Sequence, residues 1–511
     1  MADWTEGYVA DIGYTYGYYN ELNPLRHKLA FLNEGLALPE ISTACELGFG
    51  QGISVNIHSA ASNVEYWGTD FNPAQADFAQ TLGKMSGKKV HLFDQAFAEF
   101  CQRSDLPDFD YIGMHGIWTW ISDENRAVIV DFVSRKLKVG GVFYISYNTQ
   151  PGWAASIPLR SLLFEHSQVM GASGQGIASR VDSALDFTER LFSTNPAYLR
   201  ANPSVAERFN GMKSQNRSYL AHEFFNKDWQ PMLIADIARW LAPSKLDYAC
   251  SAHYLNHIDV INLTAEQSQF LSEINTPIFK ETVRDYIMNQ QFRRDYWVKG
   301  GRKISPYERI ELSRKQRVIL TTFRPTISLK VNGLLGEATL GEHIYTPILD
   351  VLADYQVKTV EQIEIAVSQK GIDLAEIWQA VIILAGNGLL APAQENAQIT
   401  KARKHTELLN LHIMDAARNS GTMGYLASPV TGGGVSVPRF GLLFLLARSQ
   451  GKKQPNDWAN FVLQILVAQN QKLIKEGKTL ETLEENLAEI LTNANTFAVE
   501  QLPVLQGLGI V

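Results

Sequence analysis

Cysteine is scarce in this chain: its three residues, Cys45, Cys101 and Cys250, stand far apart in no paired or metal-ligand spacing. Neither a disulfide framework nor a metal site is therefore expected, and all three are read as small buried apolar groups. Long apolar runs are missing too. Stretches such as 440–447 fall far short of the roughly 20 residues that cross a bilayer. The opening MADWTEGY is acidic, with no basic region ahead of an apolar one. No leader, no membrane insertion and a cytoplasmic location are expected. Positive charge is not in surplus either: the net charge of −7 argues mildly against whole-molecule attraction to nucleic acid. With 45% apolar and 19% charged residues the composition is that of a globular protein, and 511 residues predict more than one hydrophobic core.

What is there begins with an alternation of short apolar runs and helix-like segments over 1–150, the pattern of a parallel sheet with helices on both faces. Strands are predicted at STACEL (42–47), VEYWGTD (64–70), KVHLFD (89–94), DYIGMH (110–115) and GVFYISY (141–147). Between neighbours there is room for one crossover helix. Residues 151–230 lose the strand signal and read as a helical insertion, a candidate for dimerisation. FFNKDWQPMLIADIARWL (224–241) carries apolar residues near helical spacing. KLDYACSA (245–252) and DVINLT (259–264) then read as strands that complete the first sheet, within a unit over 231–325.

Pro and Gly punctuation at 324–336 marks a boundary. Three short helical patterns follow within 346–390 and read as a helix-turn-helix unit, giving a winged-helix-like middle domain at 326–400. Its third pattern, LAEIWQAVIILAGNG, has no Lys or Arg to meet phosphates or guanine edges, which favours protein docking or a spacer over DNA reading. Residues 401–511 read as helical around a Gly/Ser/Pro loop at 427–439, and no internal repeat is found.

The densest chemical signal is ACELGFGQGISV (44–55), with Gly48, Gly50 and Gly52 at every second position behind Glu46. A dinucleotide fingerprint wants its third glycine one position later, for helix packing beside a pyrophosphate. Ile53 stands there, which speaks against NAD or FAD. Glu46 would repel phosphates and suits a cationic group, while glycines let the backbone approach a ligand and accept positive φ. Asp70, ending the second predicted strand within WGTDFNP, suits a pair of ribose hydroxyls. Asp94, ending the third predicted strand within HLFDQAF, suits the exocyclic amine of a purine or else caps the next helix. Phe71 and Gln95 adjoin them and are assigned to the same pocket. Ribose, purine amine and a cationic tail together describe S-adenosylmethionine.

Four ordered motifs, ELGFGQG (46–52), GTDFNP (68–73), LFDQAF (92–97) and LKVGG (137–141), resemble those of class I S-adenosylmethionine-dependent methyltransferases. The resemblance implies an α/β fold with a Rossmann-like core, here extended by mostly helical domains. It also implies an acceptor pocket beyond the fourth and fifth strands, at GMHGIWTWIS (113–122) and SYNTQPGW (146–153). Those stretches offer His115, Trp118, Trp120, Tyr147, Asn148 and Trp153. Aromatic walls suit a lysine stem through cation–π attraction, and His115 titrates near neutral pH when unperturbed; His115 is assigned to the cofactor pocket as well. The other reading makes the tryptophans core anchors and the histidine structural. Upstream, Tyr16 or Tyr8 either closes over the cofactor or packs on the sheet.

YLAHEFFNKDWQPMLIADIARWLAPSKLDYACSA and FRRDYWVKG resemble the methyltransferase regulatory domain, and YLASPVTGGGVSVPR the segment that follows it in certain bacterial enzymes. This architecture is similar to that of protein lysine methyltransferases of bacterial outer-membrane or surface proteins, which implies a protein substrate. A small molecule or RNA is the alternative, the latter through the basic QFRRDYWVKGGRK (291–303). Against methylation of bases, GMHGIWT stands where an Asn-Pro-Pro-Tyr type motif would be.

Overall fold

The computed structural model describes residues 5, 7–10, 12–13, 15–171 and 174–511. Most of the opening stretch read above for a leader, and Tyr14 at the head of the tyrosine-rich run YTYGYYNELNPLR (14–26), lie outside these residues.

Apolar runs buried on both faces build one seven-stranded sheet. Its strands are β1 (Thr43–Leu47), β2 (Glu65–Thr69), β3 (His91–Phe93), β4 (Phe109–Met114), β5 (Leu137–Asn148), β6 (Leu246–Ser251) and β7 (Phe292–Lys299), in the order β3-β2-β1-β4-β5-β7-β6. The pairs among β1 to β5 are parallel, while β7 runs antiparallel between β5 and β6. The LKVGG run is the start of β5 rather than a turn before it, with Gly140 at φ +82° and a register shift opposite Phe109 and Tyr111.

Helices begin where the sequence supplies caps. Pro73–Met85 has Pro in its first turn and the Asn72 side chain accepting from Ala74 and Gln75. Asp123–Lys136 is capped by Ser122 and carries Asp123 and Glu124 at its positive end. Residues 225–233 are not the helix their spacing suggested; the helix Arg217–Phe224 ends before them and Ile234–Leu241 begins after them. Pro231 cannot donate to a helical ladder. DVINLT likewise is a short helix, Asp259–Asn262, and the strand beside β5 is the basic segment instead. Its arginines are spent internally: Arg293 pairs with Glu281, Asp285 and Asp295, and Arg294 with Glu21.

The insertion after β5 has its own core, in which Trp153, Leu163, Val181, Phe209 and Phe224 meet. Further on, a three-stranded sheet of Arg317–Leu320, Lys358–Thr359 and Leu390–Pro392 carries helices Glu342–Val351, Val360–Val367 and Leu374–Gly386, a winged-helix-like unit. Its third helix is buried, and Trp378 donates to Asn33 Oδ1 at 3.1 Å. The C-terminal helix Asn396–Ala416 and the hairpin Tyr425–Ser428/Gly433–Ser436 pack on helix Ile53–Ala61 of the sheet layer. All three cysteines are buried thiols. No helix of the described residues is long and apolar enough to cross a membrane.

Candidate active site

Strand order reverses between β1 and β4, and in open α/β sheets ligands bind outside the carboxyl ends of the strands at such a point. The loop after β1 makes the crevice. Gly48, Gly50 and Gly52 all have positive φ, +71°, +57° and +70°, a region that side chains disfavour. Gly48 N–H donates to the carbonyl of Thr69 at 2.8 Å. At the end of β2, Asp70 Oδ2 accepts from Gly50 N–H at 2.8 Å and Oδ1 from Asn72 N–H at 3.0 Å.

Above this loop opens a cavity of about 1280 Å³, counting its mouth. Glu46, Gly48, Gly50, Asp70, Phe71, Gln95 and His115 line it, so four strand ends converge on one space. Among the described residues that line it there is no Lys or Arg. Glu46 is 5% exposed, and no described group donates a hydrogen bond to its carboxylate. Burial, and then the neighbouring Asp70, push it up to about 8. Burial also raises Asp70 to about 6, against the two backbone N–H groups that favour its charge. Two buried carboxyls with no cation beside them are costly unless a ligand supplies one.

The roof comes from outside the sheet. Tyr19 stacks on His115 with ring centroids 4.0 Å apart, and its N–H donates to Ser54 Oγ at 2.8 Å. His115 Nδ1 lies 2.7 Å from Tyr144 Oη. Burial brings His115 down to about 4, with Glu21 and Arg294 pulling in opposite directions, so the imidazole is neutral at neutral pH. Tyr8 reaches Phe71 edge-on at 5.7 Å. Its segment is held by Val9 N–H donating to Asn226 Oδ1 at 2.8 Å and Lys227 N–H donating to the Gly7 carbonyl at 3.0 Å. Asn226 and Asp228 complete this side of the mouth.

Other residues named from the sequence stand apart from the cavity. Gly52 opens helix Ile53–Ala61, and a Cβ there would sit 2.4 Å from Ala79 Cβ. Asp94 is exposed just past β3, where Gln95, Ala96 and Phe97 form the wall. Tyr16 packs on Phe78, centroids 5.2 Å apart. Trp118 is fully buried, donating to Met232 Sδ at 3.4 Å. Tyr147 is fully buried and donates to Asp295 Oδ2 at 2.7 Å. Trp153 lies in the core of the insertion against Trp229. Trp120, by contrast, lines the cavity. Tyr19, Phe97, Asn226 and Asp228 were not singled out from the sequence. For Tyr19 a signal existed, since it falls in the tyrosine-rich run upstream of β1.

Residues 216–299 match a family model described as a predicted methyltransferase regulatory domain. Among solved structures, PKMT2 from Rickettsia typhi, in complex with AdoHcy, superposes with a TM-score of 0.69 over 95% of this chain and 98% of its own, at 17% sequence identity. Fold, ordered strand-end motifs and matched segment are together similar to those of class I S-adenosylmethionine-dependent methyltransferases. The chain belongs to the family of protein sll1526 of Synechocystis sp., 40% identical over 99% of both chains. The protein RP789 of Rickettsia prowazekii is 26% identical over 51% of this chain and 46% of its own length.

Proposed function

We propose that this cavity binds S-adenosylmethionine and that the enzyme methylates lysine side chains of a partner protein. The observation that carries the reading is Glu46: a buried carboxyl with no donor among the described residues, beside Asp70, in a cavity whose described lining has aromatic rings and no Lys or Arg. Such a lining suits cations and repels polyanions. It fits the cofactor's ammonium and sulfonium, and equally the ammonium of an incoming lysine.

When bound, S-adenosylmethionine supplies a methyl group activated for in-line displacement. The chain's own residues would do the rest by alignment and exclusion of water. Glu46 receives the ammonium of the amino-acid end. Asp70, whose oxygens each keep a lone pair beyond the Gly50 and Asn72 bonds, accepts from the ribose hydroxyls. Phe71, Gln95 and Phe97 flank the base, while Asp94 on the outer side shapes the turn after β3. Tyr8, Tyr19, His115 and Trp120 wall off water and offer ring faces to the acceptor. Asp228 attracts the lysine ammonium at the edge of the cavity, while Asn226, buried, holds the Tyr8 segment through Val9. With His115 neutral and no base named in the wall, the lysine ammonium held at the mouth gives its proton to water before the neutral amine enters. Trp118, Tyr147, Trp153 and Gly52 support the site from the cores behind it, and Tyr16 holds the roof segment on helix Pro73–Met85.

PKMT2, the structural neighbour bound to AdoHcy, supports both the cofactor and a protein acceptor. An RNA acceptor is disfavoured because Arg293 and Arg294 are tied up in internal ion pairs. The test is to incubate the protein with methyl-labelled S-adenosylmethionine and host lysate, then locate the label by mass spectrometry. Label on lysines of a protein is expected; label confined to RNA or to small metabolites contradicts the reading. Cytoplasmic action and a homodimer built on the 151–230 insertion belong to the same proposal. Cell fractionation and light scattering test them.

A further inference from the structure

The Gly/Ser/Pro loop at 427–439 is left over by the chemistry above, yet it reaches the roof of the cavity from the far end of the chain. Its hairpin, Tyr425–Ser428/Gly433–Ser436, lies against helix Ile53–Ala61. Gly434 N–H donates to Tyr18 Oη at 2.7 Å, and the same oxygen lies 3.0 Å from His58 Nε2. Burial lowers His58 to about 3, so its ring is neutral, and Nε2 shares a hydrogen bond with the Tyr18 hydroxyl. The ring of Tyr18 also packs on Tyr425, centroids 5.2 Å apart. Asn23, at the other end of the roof segment, donates to the Thr431 carbonyl at 3.0 Å.

Two of the hairpin's glycines are required by this contact. A Cβ on Gly433 would come within 2.6 Å of Tyr18 Oη and 2.9 Å of Asn23 Nδ2, and one on Gly434 within 2.9 Å of the Tyr18 ring. Real side chains do not approach so closely. Tyr18 and Tyr19 are consecutive residues, one ring held by the hairpin and the other stacked on His115 in the cavity wall.

We propose that the C-terminal hairpin is a positioning element of the active site, with Tyr18 its positioning residue: by clamping Tyr18 it sets where Tyr19 lies over His115, and hence how the cavity closes on its cofactor. A side chain at position 434 must push the Tyr18 ring aside and drag the adjoining residue with it. The inference rests on the cavity being the cofactor site, and its test separates the two.

The full-length protein is titrated with S-adenosylmethionine by calorimetry, first as wild type and then as Gly434→Ala, Tyr18→Phe and Tyr19→Ala, with Gly434→Ala also placed on the Tyr19→Ala background. Absence of binding by wild type would sink the cofactor assignment itself. With wild type binding, Gly434→Ala and Tyr18→Phe are each expected to weaken affinity by about three- to tenfold, the scale of one lost buried hydrogen bond or a shifted ring. The effect of Gly434→Ala should vanish once Tyr19 is gone, because both changes act through one contact. A loss of stability alone would not produce that coupling. Unchanged affinity in Tyr18→Phe and Gly434→Ala, or an undiminished effect of Gly434→Ala without Tyr19, overturns the proposal. Tyr18→Phe keeps the ring and its packing, so the result stands even if Gly434→Ala does not fold.

Discussion

The carboxylate of Asp70 accepts the backbone N–H of Gly50 at 2.8 Å, fastening the loop that follows β1 to the end of β2. This bond sets the height of the crevice floor and fixes the rotamer of the acid proposed to meet the ribose. Removing it should act on the cofactor far more than on the fold. In Asp70→Ala the loss of a charged acceptor is expected to weaken S-adenosylmethionine binding by about 10- to 100-fold, read by calorimetry, while the melting temperature moves little because a buried carboxyl with a raised pKa is removed at the same time. Unaltered affinity would count against the assignment.

Binding should also be linked to protons. In the empty protein Glu46 titrates at about 8 and Asp70 at about 6, whereas the ammonium of the cofactor favours both as carboxylates. Binding at pH 7 is therefore expected to release protons, seen as a dependence of the binding heat on the buffer's ionisation enthalpy. Affinity should rise from pH 6 to pH 8. The linkage to folding has the opposite sign. Glu46 keeps its proton in the folded state to a higher pH than in the unfolded chain, so its contribution to stability falls as pH rises from the ordinary carboxyl range through about 8. The rise in melting temperature caused by the cofactor should be larger at pH 8 than at pH 6.

His115 gives a third expectation. Its ring is held near 4 by burial and stacked on Tyr19, an orienting and packing role rather than that of a proton shuttle. The rate profile should have no inflection from this group near the usual histidine value. The loss in kcat on His115→Asn should stay below the ~100-fold typical of removing a general base. Steady-state rates of wild type and variant between pH 5.5 and 8 measure both.

Trp118 and Tyr147 separate support from chemistry. Trp118→Ala empties a fully buried site and is expected to cost about 3–5 kcal/mol of stability. Tyr147→Phe removes the donor to Asp295 Oδ2, which keeps Arg293 as a partner, at a cost of about 1–2 kcal/mol. Denaturant unfolding reads both values, and the folded Tyr147→Phe protein should bind S-adenosylmethionine as wild type does.

The parallel half of the sheet was legible because strands buried on both faces leave continuous apolar runs, and all five predicted runs contain strands. The closing strands were harder. DVINLT has the β-branched composition of a strand but forms a single helical turn, whereas FRRDYWVK, polar at Arg293 and Asp295, is β7. That strand carries charge into the interior because Arg293 is satisfied by Glu281 and Asp285 from the helix Pro277–Met288 just before it, which the apolar pattern of the strand itself does not reveal. In the site, the glycine loop and Asp70 announced themselves through backbone demands. The aromatic residues did not: Trp118 and Trp120 stand two apart, yet one is sealed in a core and the other faces the cavity. Asn226 and Asp228 reach the mouth only through the fold of the insertion, and the pairing of Tyr18 with Gly434 spans almost the whole chain.

The most direct measurement is a crystal structure of the protein grown with saturating S-adenosylhomocysteine. The product is expected in the crevice between the Gly48–Gly50 loop and Phe71, its amino group toward Glu46 and its ribose on Asp70. A crevice left empty under those conditions, or a product bound elsewhere with Glu46 still without a donor, would contradict the assignment.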